Sequence, residues 1–392
     1  MIKAASLQTP EVDDIASACH ELRSQLDAKL ALLNHSVGII QCSIEFIEAG
    51  IVPLLHKELG IPLVGGTTVA TATNSGAERL LFSMLVLTSD DVEFTVSRTV
   101  GLAGDPVAAV ADSLKAAIGD RSGQMRMALT FFPVFEDFSG DYYVDLMEAV
   151  CGNIPIFGTN LIDYKFPDFN YCLAICNDAV VSHEMTYVLL SGDVMPRFYI
   201  AAVPSRSNIE TTAAVITKAK DNVVHEINGV PAIKYIESLW PHSGEPLANG
   251  ADLLLPLLIS IEDSCDNRPF VRALIKIDEN GCAICSGRMP ENAGIAFGSN
   301  SSADIISSTR DTVSRALCED GISGALIFSC ITRQIVIGSD YMKELRQLQS
   351  MIPETIPFMA SYSGGEFAPT CISGANFAQN RYHNYSLIIC LF

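Results

Sequence analysis

Ile61-Pro62-Leu63-Val64-Gly65-Gly66, Ile154-Pro155-Ile156-Phe157-Gly158-Thr159 and Ile356-Pro357-Phe358-Met359-Ala360-Ser361 repeat one pattern three times within 392 residues. Each run opens on Ile-Pro, continues apolar, and ends in small residues. Upstream of each lies another apolar stretch: Gly38–Ser43, Met127–Phe132 and Gly324–Cys330. Between the two stretches the pattern is helical, through Lys57-Glu58 in the first copy, around Tyr143–Val150 in the second and around Met342–Ser350 in the third. Downstream, each copy is expected to close on a further strand, Phe82–Leu87, Tyr171–Cys176 and Tyr385–Phe392 respectively.

Proline is tolerated where a strand begins, because its missing N–H need not interrupt a ladder. Two strands bracketing one helix is the layout of a right-handed parallel crossover. Val92–Val100 and Met185–Leu190 are spaced like antiparallel neighbours. Strands apolar along most of their length need cover on both faces. The expectation is an α+β protein: mixed, partly parallel sheets with outer helices, a layered sandwich built from repeated strand-helix-strand-strand units.

Residues between the second and third copies differ in character. Asn228-Gly229 is a turn signal, Ala232–Leu239 an amphipathic helix, and Phe270–Ile277 with Cys282–Ser286 a hairpin about Glu279-Asn280-Gly281. Asp304–Leu317 reads as a helix. Pro196 and Pro204 punctuate a break, which divides the chain into domains 1–200 and 201–392.

Hydrophobic residues make up 49% of the chain and charged residues 18%, enough apolar material for sizeable cores and too much for a disordered chain. Twenty-five Lys and Arg against 45 Asp and Glu leave a net charge of −20, which argues against nucleic acid or an anionic membrane as partner. The longest apolar runs fall well short of the roughly 18 residues of a spanning helix. No apolar signal core follows Met1, so a cytoplasmic location is expected, and the twelve cysteines are read as thiols.

Cys282 and Cys285 have the spacing of a metal or redox pair, but no second pair exists and they follow a hairpin turn, so they read as strand cysteines. No metalloprotease, nucleotide-binding or nucleophile-elbow signature appears. Gly65-Gly66-Thr67-Thr68, Gly158-Thr159-Asn160 and Ser361–Glu366 read as small-residue turns at the carboxyl ends of the Ile-Pro strands. That edge of an α/β sheet is where ligands bind. Arg333, just past Cys330, suits a carboxylate clamp or a surface ion pair. Glu366 suits an amine or a pairing with Arg333, and His383 suits a ligand contact, a haem ligand or a structural role. Cys330 has no assignable base, so no catalytic residue is expected and the chain is not read as an enzyme.

Glu226–Ala232, Ser329–Arg333, Tyr362–Pro369 and His383–Leu387 resemble the carboxyl-terminal half of the FIST (F-box and intracellular signal transduction) family. Leu63–Thr68 resembles the turn of its amino-terminal half, with Gly65-Gly66-Thr67-Thr68 where members often show Gly-x-Ser-Thr. The resemblance implies a stand-alone, bacterial-type sensor that binds a small polar metabolite, an amino acid or related carboxylate, in a cleft between its halves. It implies Gly66, Thr67, Arg333, Tyr362, Gly365, Glu366 and His383 as pocket residues. No cofactor is expected on this reading. The alternative it carries is a haem-binding nitric oxide sensor, with His383 as iron ligand and a histidine kinase as partner.

Overall fold

A computed structural model describes residues 1–133, 139–165, 171–201, 214–239, 252–261, 270–371 and 378–392. The three copies fold into three topologically equivalent units. In the first, the strand His35–Cys42 runs parallel to Leu63–Thr67, and Phe82–Ser89 pairs antiparallel on its other side, flanked in turn by Lys3–Thr9. In the second, Met125–Phe132 is parallel to Ile156–Asn160, followed outward by Thr186–Gly192 and Val92–Arg98. In the third, Ala325–Cys330 is parallel to Phe358–Ser363, followed by Leu387–Leu391 and Arg197–Ala201.

The Ile-Pro dipeptide does the same job in each unit. The Pro62, Pro155 and Pro357 carbonyls accept from the N–H of Gly38, Ala128 and Ala325, each at 2.9 Å. Proline thus starts the parallel ladder through its carbonyl alone. The glycines after it lie within the strands Leu63–Thr67 and Ile156–Asn160, not in turns as expected from sequence. A side chain at Gly158 would place its Cβ 2.1 Å from the Thr130 carbonyl oxygen, so glycine is what lets these strands approach.

One expectation is corrected. Thr186–Gly192, not Tyr171–Cys176, closes the second unit. Ala174–Cys176 instead forms a hairpin with Ala179–Val181 and adds to the Ile-Pro strand of the first unit. The same exchange occurs twice more. The Thr71–Thr73 and Ala77–Glu78 hairpin adds to the third unit, and the Glu366–Cys371 and Ala378–His383 hairpin adds to the second. Each unit therefore lends a hairpin to another, and the loan closes a ring. A short two-stranded ribbon is too small to signal its destination in sequence.

Burial follows the same plan. Inward faces of all three sheets meet in one core containing Ile39, Leu85, Leu129, Phe157, Phe328 and Ile388. Outer faces are covered by helices: Ile15–Lys29 and Ile51–Leu59 over the first sheet, Pro106–Ile118 and Gly140–Cys151 over the second, Ser302–Ala316 and Lys343–Met351 over the third. The class is α+β, as the repeat implied.

Between Arg197–Ala201 and Ser302–Ala316 the chain builds a separate antiparallel sheet. Its order is Ala214–Lys220, Gly294–Phe297, Asp252–Ser260, Phe270–Ile277, Ala283–Cys285, Val223–Ile227, and the first and last strands also pair, closing a barrel. Ile216, Ile227, Leu257, Leu274 and Ile295 fill it. The barrel docks on the ring through Arg272, only 3% exposed, whose guanidinium donates to Asp141 and to the Tyr382 carbonyl, both at 2.6 Å. No helix of the described residues is long and apolar enough to cross a membrane.

Candidate functional site

Gly66, Thr67 and Tyr362 lie toward the carboxyl ends of parallel strands, Arg333 in the helix Ile331–Ile337, and Gly365, Glu366 and His383 at one end of the exchanged hairpin; all are buried. Gly66 is packed so tightly that an added Cβ would meet the Leu173 carbonyl at 2.3 Å. Thr67 is inside the exchanged hairpin contact: its N–H donates to the Leu173 carbonyl and its hydroxyl to the Tyr171 carbonyl. Its neighbour Thr68, not Thr67, reaches the third unit, donating to the Tyr362 carbonyl at 2.7 Å. Tyr362 is 1% exposed and its hydroxyl donates to the Tyr341 carbonyl at 2.9 Å. Gly365, at φ +155°, sits where a Cβ would meet the Tyr382 hydroxyl at 2.0 Å.

Arg333 is engaged internally. Its guanidinium pairs with Glu344 at 2.7 Å and also donates to Thr309 Oγ1 and the Ile305 carbonyl, with both charged side chains almost fully buried. Glu344 in turn accepts from Ser329 and Thr309. Of the two roles sequence left open for Arg333, the ion pair is the one the geometry fills, buried rather than at the surface, with Glu344 as partner.

Glu366 faces His383 across the exchanged hairpin. Its carboxyl is fully buried; Oε2 accepts from Ser386 at 2.5 Å and Oε1 has no hydrogen-bond partner. Burial raises its pKa to about 8, against the lowering effect of the Ser386 and Ser363 hydroxyls and of Arg333. The Cys330 thiol beside it is pushed up to about 12, by burial first and by Glu366 second. His383 is 2% exposed, and its Nε2 lies 3.2 Å from the Ala368 carbonyl oxygen within the sheet. That contact occupies Nε2 within the sheet.

An open cleft lies just above this buried layer, where the three units meet. It encloses about 370 Å³ and is lined by Val69 and Arg79 of the first unit, Ile162, Asp163 and Tyr164 of the second, and Ile331, Gln334, Ile335, Gly338 and Tyr341 of the third. None of the seven expected residues lines it, although Val69, Ile331 and Tyr341 are their close neighbours. Val69 and Ile162 each fall eight residues after the isoleucine of an Ile-Pro pair. The repeat could therefore have located them one turn beyond the glycines. Arg79, Tyr164 and Tyr341 carry no such signal.

Two charged side chains stand in the cleft, one exposed and one buried. Arg79 is exposed, with its guanidinium 6.0 Å from the Tyr164 ring centre and 5.7 Å from that of Tyr341. Among the described residues no carboxylate is within ion-pair distance of it. Asp163 is fully buried: Oδ1 accepts from the Lys165 N–H at 3.0 Å and Oδ2 has no partner. Burial, and Glu45 less strongly, raise the Asp163 pKa.

Residues 36–230 match the model of the FIST N domain and residues 232–369 that of the FIST C domain. Among curated proteins, none matches the chain. With most of its length covered by two adjoining domain models, its three interlocked units and barrel are one FIST protein: the chain belongs to the FIST family, whose domains are sensors in signal transduction.

Proposed function

We propose that this protein is a non-enzymatic sensor that binds a small polar metabolite, an amino acid or related carboxylate, in the cleft where the three units meet. The observation that carries the reading is Arg79. A guanidinium held beside two tyrosine rings, exposed and, among the described residues, without a carboxylate, is a binding group for a planar anion. The apolar walls of Val69, Ile162, Ile331 and Ile335 suit the body of such a ligand. Because the lining comes from all three units, a bound molecule touches every part of the ring, which gives a sensor a means of transmitting occupancy. A separate signalling protein, for which a histidine kinase is one class, would read that state in the cytoplasm. A non-catalytic role is favoured by Cys330, whose buried thiol stays protonated at neutral pH.

A thermal-shift screen of amino acids and organic acids tests the reading. A compound at about 100 times its Kd adds about 2.7 kcal/mol of apparent stability. Arg79→Ala is expected to weaken binding of the best compound by about 1.5–3 kcal/mol, the range for hydrogen bonds to a charged group. A broad panel without any shift, or a binder indifferent to Arg79→Ala, refutes it.

A further inference from the structure

We propose that Ser43, Glu45 and Asp163 form the seat of a primary ammonium group beside the cleft. This rests on reading the cleft as the ligand site, and it assigns the end of the ligand that Arg79 does not address.

Three buried oxygens carry the inference. Among the described residues, the Oγ of Ser43, 4% exposed, has no partner, the Oδ2 of fully buried Asp163 has none, and the buried Oε2 of half-buried Glu45 has none either. Buried polar atoms are normally hydrogen-bonded, so three orphans in one neighbourhood call for an explanation. The backbone brings the segments together: Ser43 caps the helix Ile44–Glu48, which carries Glu45, and Asp163 accepts from the N–H of Lys165, whose ammonium lies 3.9 Å from Glu48 of that same helix. The influence of Glu45 on Asp163, and of both on Cys42, agrees with this. Asp163 lines the cleft, and so does Tyr164, whose phenol is held against Glu45.

The chemistry of the guest follows from what is missing. Both carboxylate oxygens can only accept when ionised, and the hydroxyl can accept as well. A primary ammonium brings three donors and no acceptor, one for each orphan. A quaternary ammonium brings charge without donors. A hard metal cation asks for six or more oxygens, and among the described residues no group of three His, Cys, Asp or Glu is placed to hold one. The charged groups around the seat leave it unneutralised. Lys165 gives Asp163 its backbone N–H, but its ammonium lies 3.9 Å from Glu48 and over the Tyr171 ring at 3.7 Å. Arg79, across the cleft, is held beside Tyr164 and Tyr341. Burial makes Asp163 hold its proton more tightly than an ordinary carboxyl, so binding of a cation there tightens as pH rises through its titration.

Isothermal titration calorimetry of the full chain tests this with two series of three probes. The first is L-phenylalanine, its N,N,N-trimethyl betaine and 3-phenylpropanoate; the second is L-leucine, its betaine and 4-methylpentanoate. The expected result is that a primary amine binds at least about ten-fold more tightly than its betaine and deaminated counterparts, the scale of one hydrogen bond to a charged group. Asp163→Asn and Glu45→Gln each remove that advantage. Melting temperatures without probe report whether the variants fold, and Ser43→Ala serves if Asp163→Asn does not. If amine and deaminated probes bind equally, with Arg79→Ala weakening both, the ammonium seat is wrong and the cleft stands. If no probe binds, or Arg79→Ala changes nothing, both readings fall.

Discussion

Glu366 is sealed by the fold between Ser386, Cys330 and the His383 strand, with one oxygen unpaired among the described residues. The sequence left it open to hold an amine or to pair with Arg333, and Arg333 makes its ion pair with Glu344. The folded pKa of Glu366, about 8, lies above the 4.5 of an exposed glutamate. The folded chain therefore keeps a proton that the unfolded chain releases between those values. The sign is fixed: the contribution to stability is full below about pH 4.5, falls as pH rises, and is flat above about 8. Glu366→Gln carries no titrating proton, so its stability relative to the parent should rise by several kcal/mol, about 5 at most, over that window. Urea denaturation at a series of pH values measures the difference, and parallel curves for the two proteins would contradict the buried, protonated carboxyl. Arg333 was legible to the same extent. Its type and place past a strand end were evident, whereas its partner Glu344 comes from a helix whose docking no local pattern announces.

At the scale of elements, the Ile-Pro strands were legible because their constraint is local. A proline that must sit at a strand start and small residues that must follow are visible in a single run of sequence. The fifth position of that run is Gly65, Gly158 and Ala360. Glycine is required where the neighbouring backbone closes in, as the 2.1 Å approach of a Gly158 Cβ to Thr130 shows, while the third unit has room for a methyl. Gly158→Ala is expected to cost about 1–3 kcal/mol, the range for overpacking a tight site. Ala360→Gly should cost only about 0.5–1 kcal/mol, through backbone entropy. Chemical denaturation of the two variants checks the order, and a larger loss at Ala360 would overturn the equivalence of position with different clearance. The exchanged hairpins were not legible. Ala174–Cys176 has the composition of a closing strand, and only the long-range pairing with Val64–Gly66 decides its place.

At the scale of the whole molecule, exchange changes what a unit is. Each parallel pair is completed by another unit's hairpin, and all three sheets contribute to one core, so no unit can open without breaking strand pairs in the others. Native-state hydrogen exchange should therefore give the strands His35–Cys42, Met125–Phe132 and Ala325–Cys330 a common opening free energy, close to that of global unfolding. One unit exchanging through its own cheaper opening would contradict the interlock. The same interlock places residues from all three units around the cleft, which makes occupancy of that cleft the account's central claim. A crystal structure grown with the strongest binder from the thermal-shift screen tests it most directly. The account predicts density for the ligand in the cleft, with its anionic group against Arg79 between Tyr164 and Tyr341. Density elsewhere, with the cleft empty, would contradict it.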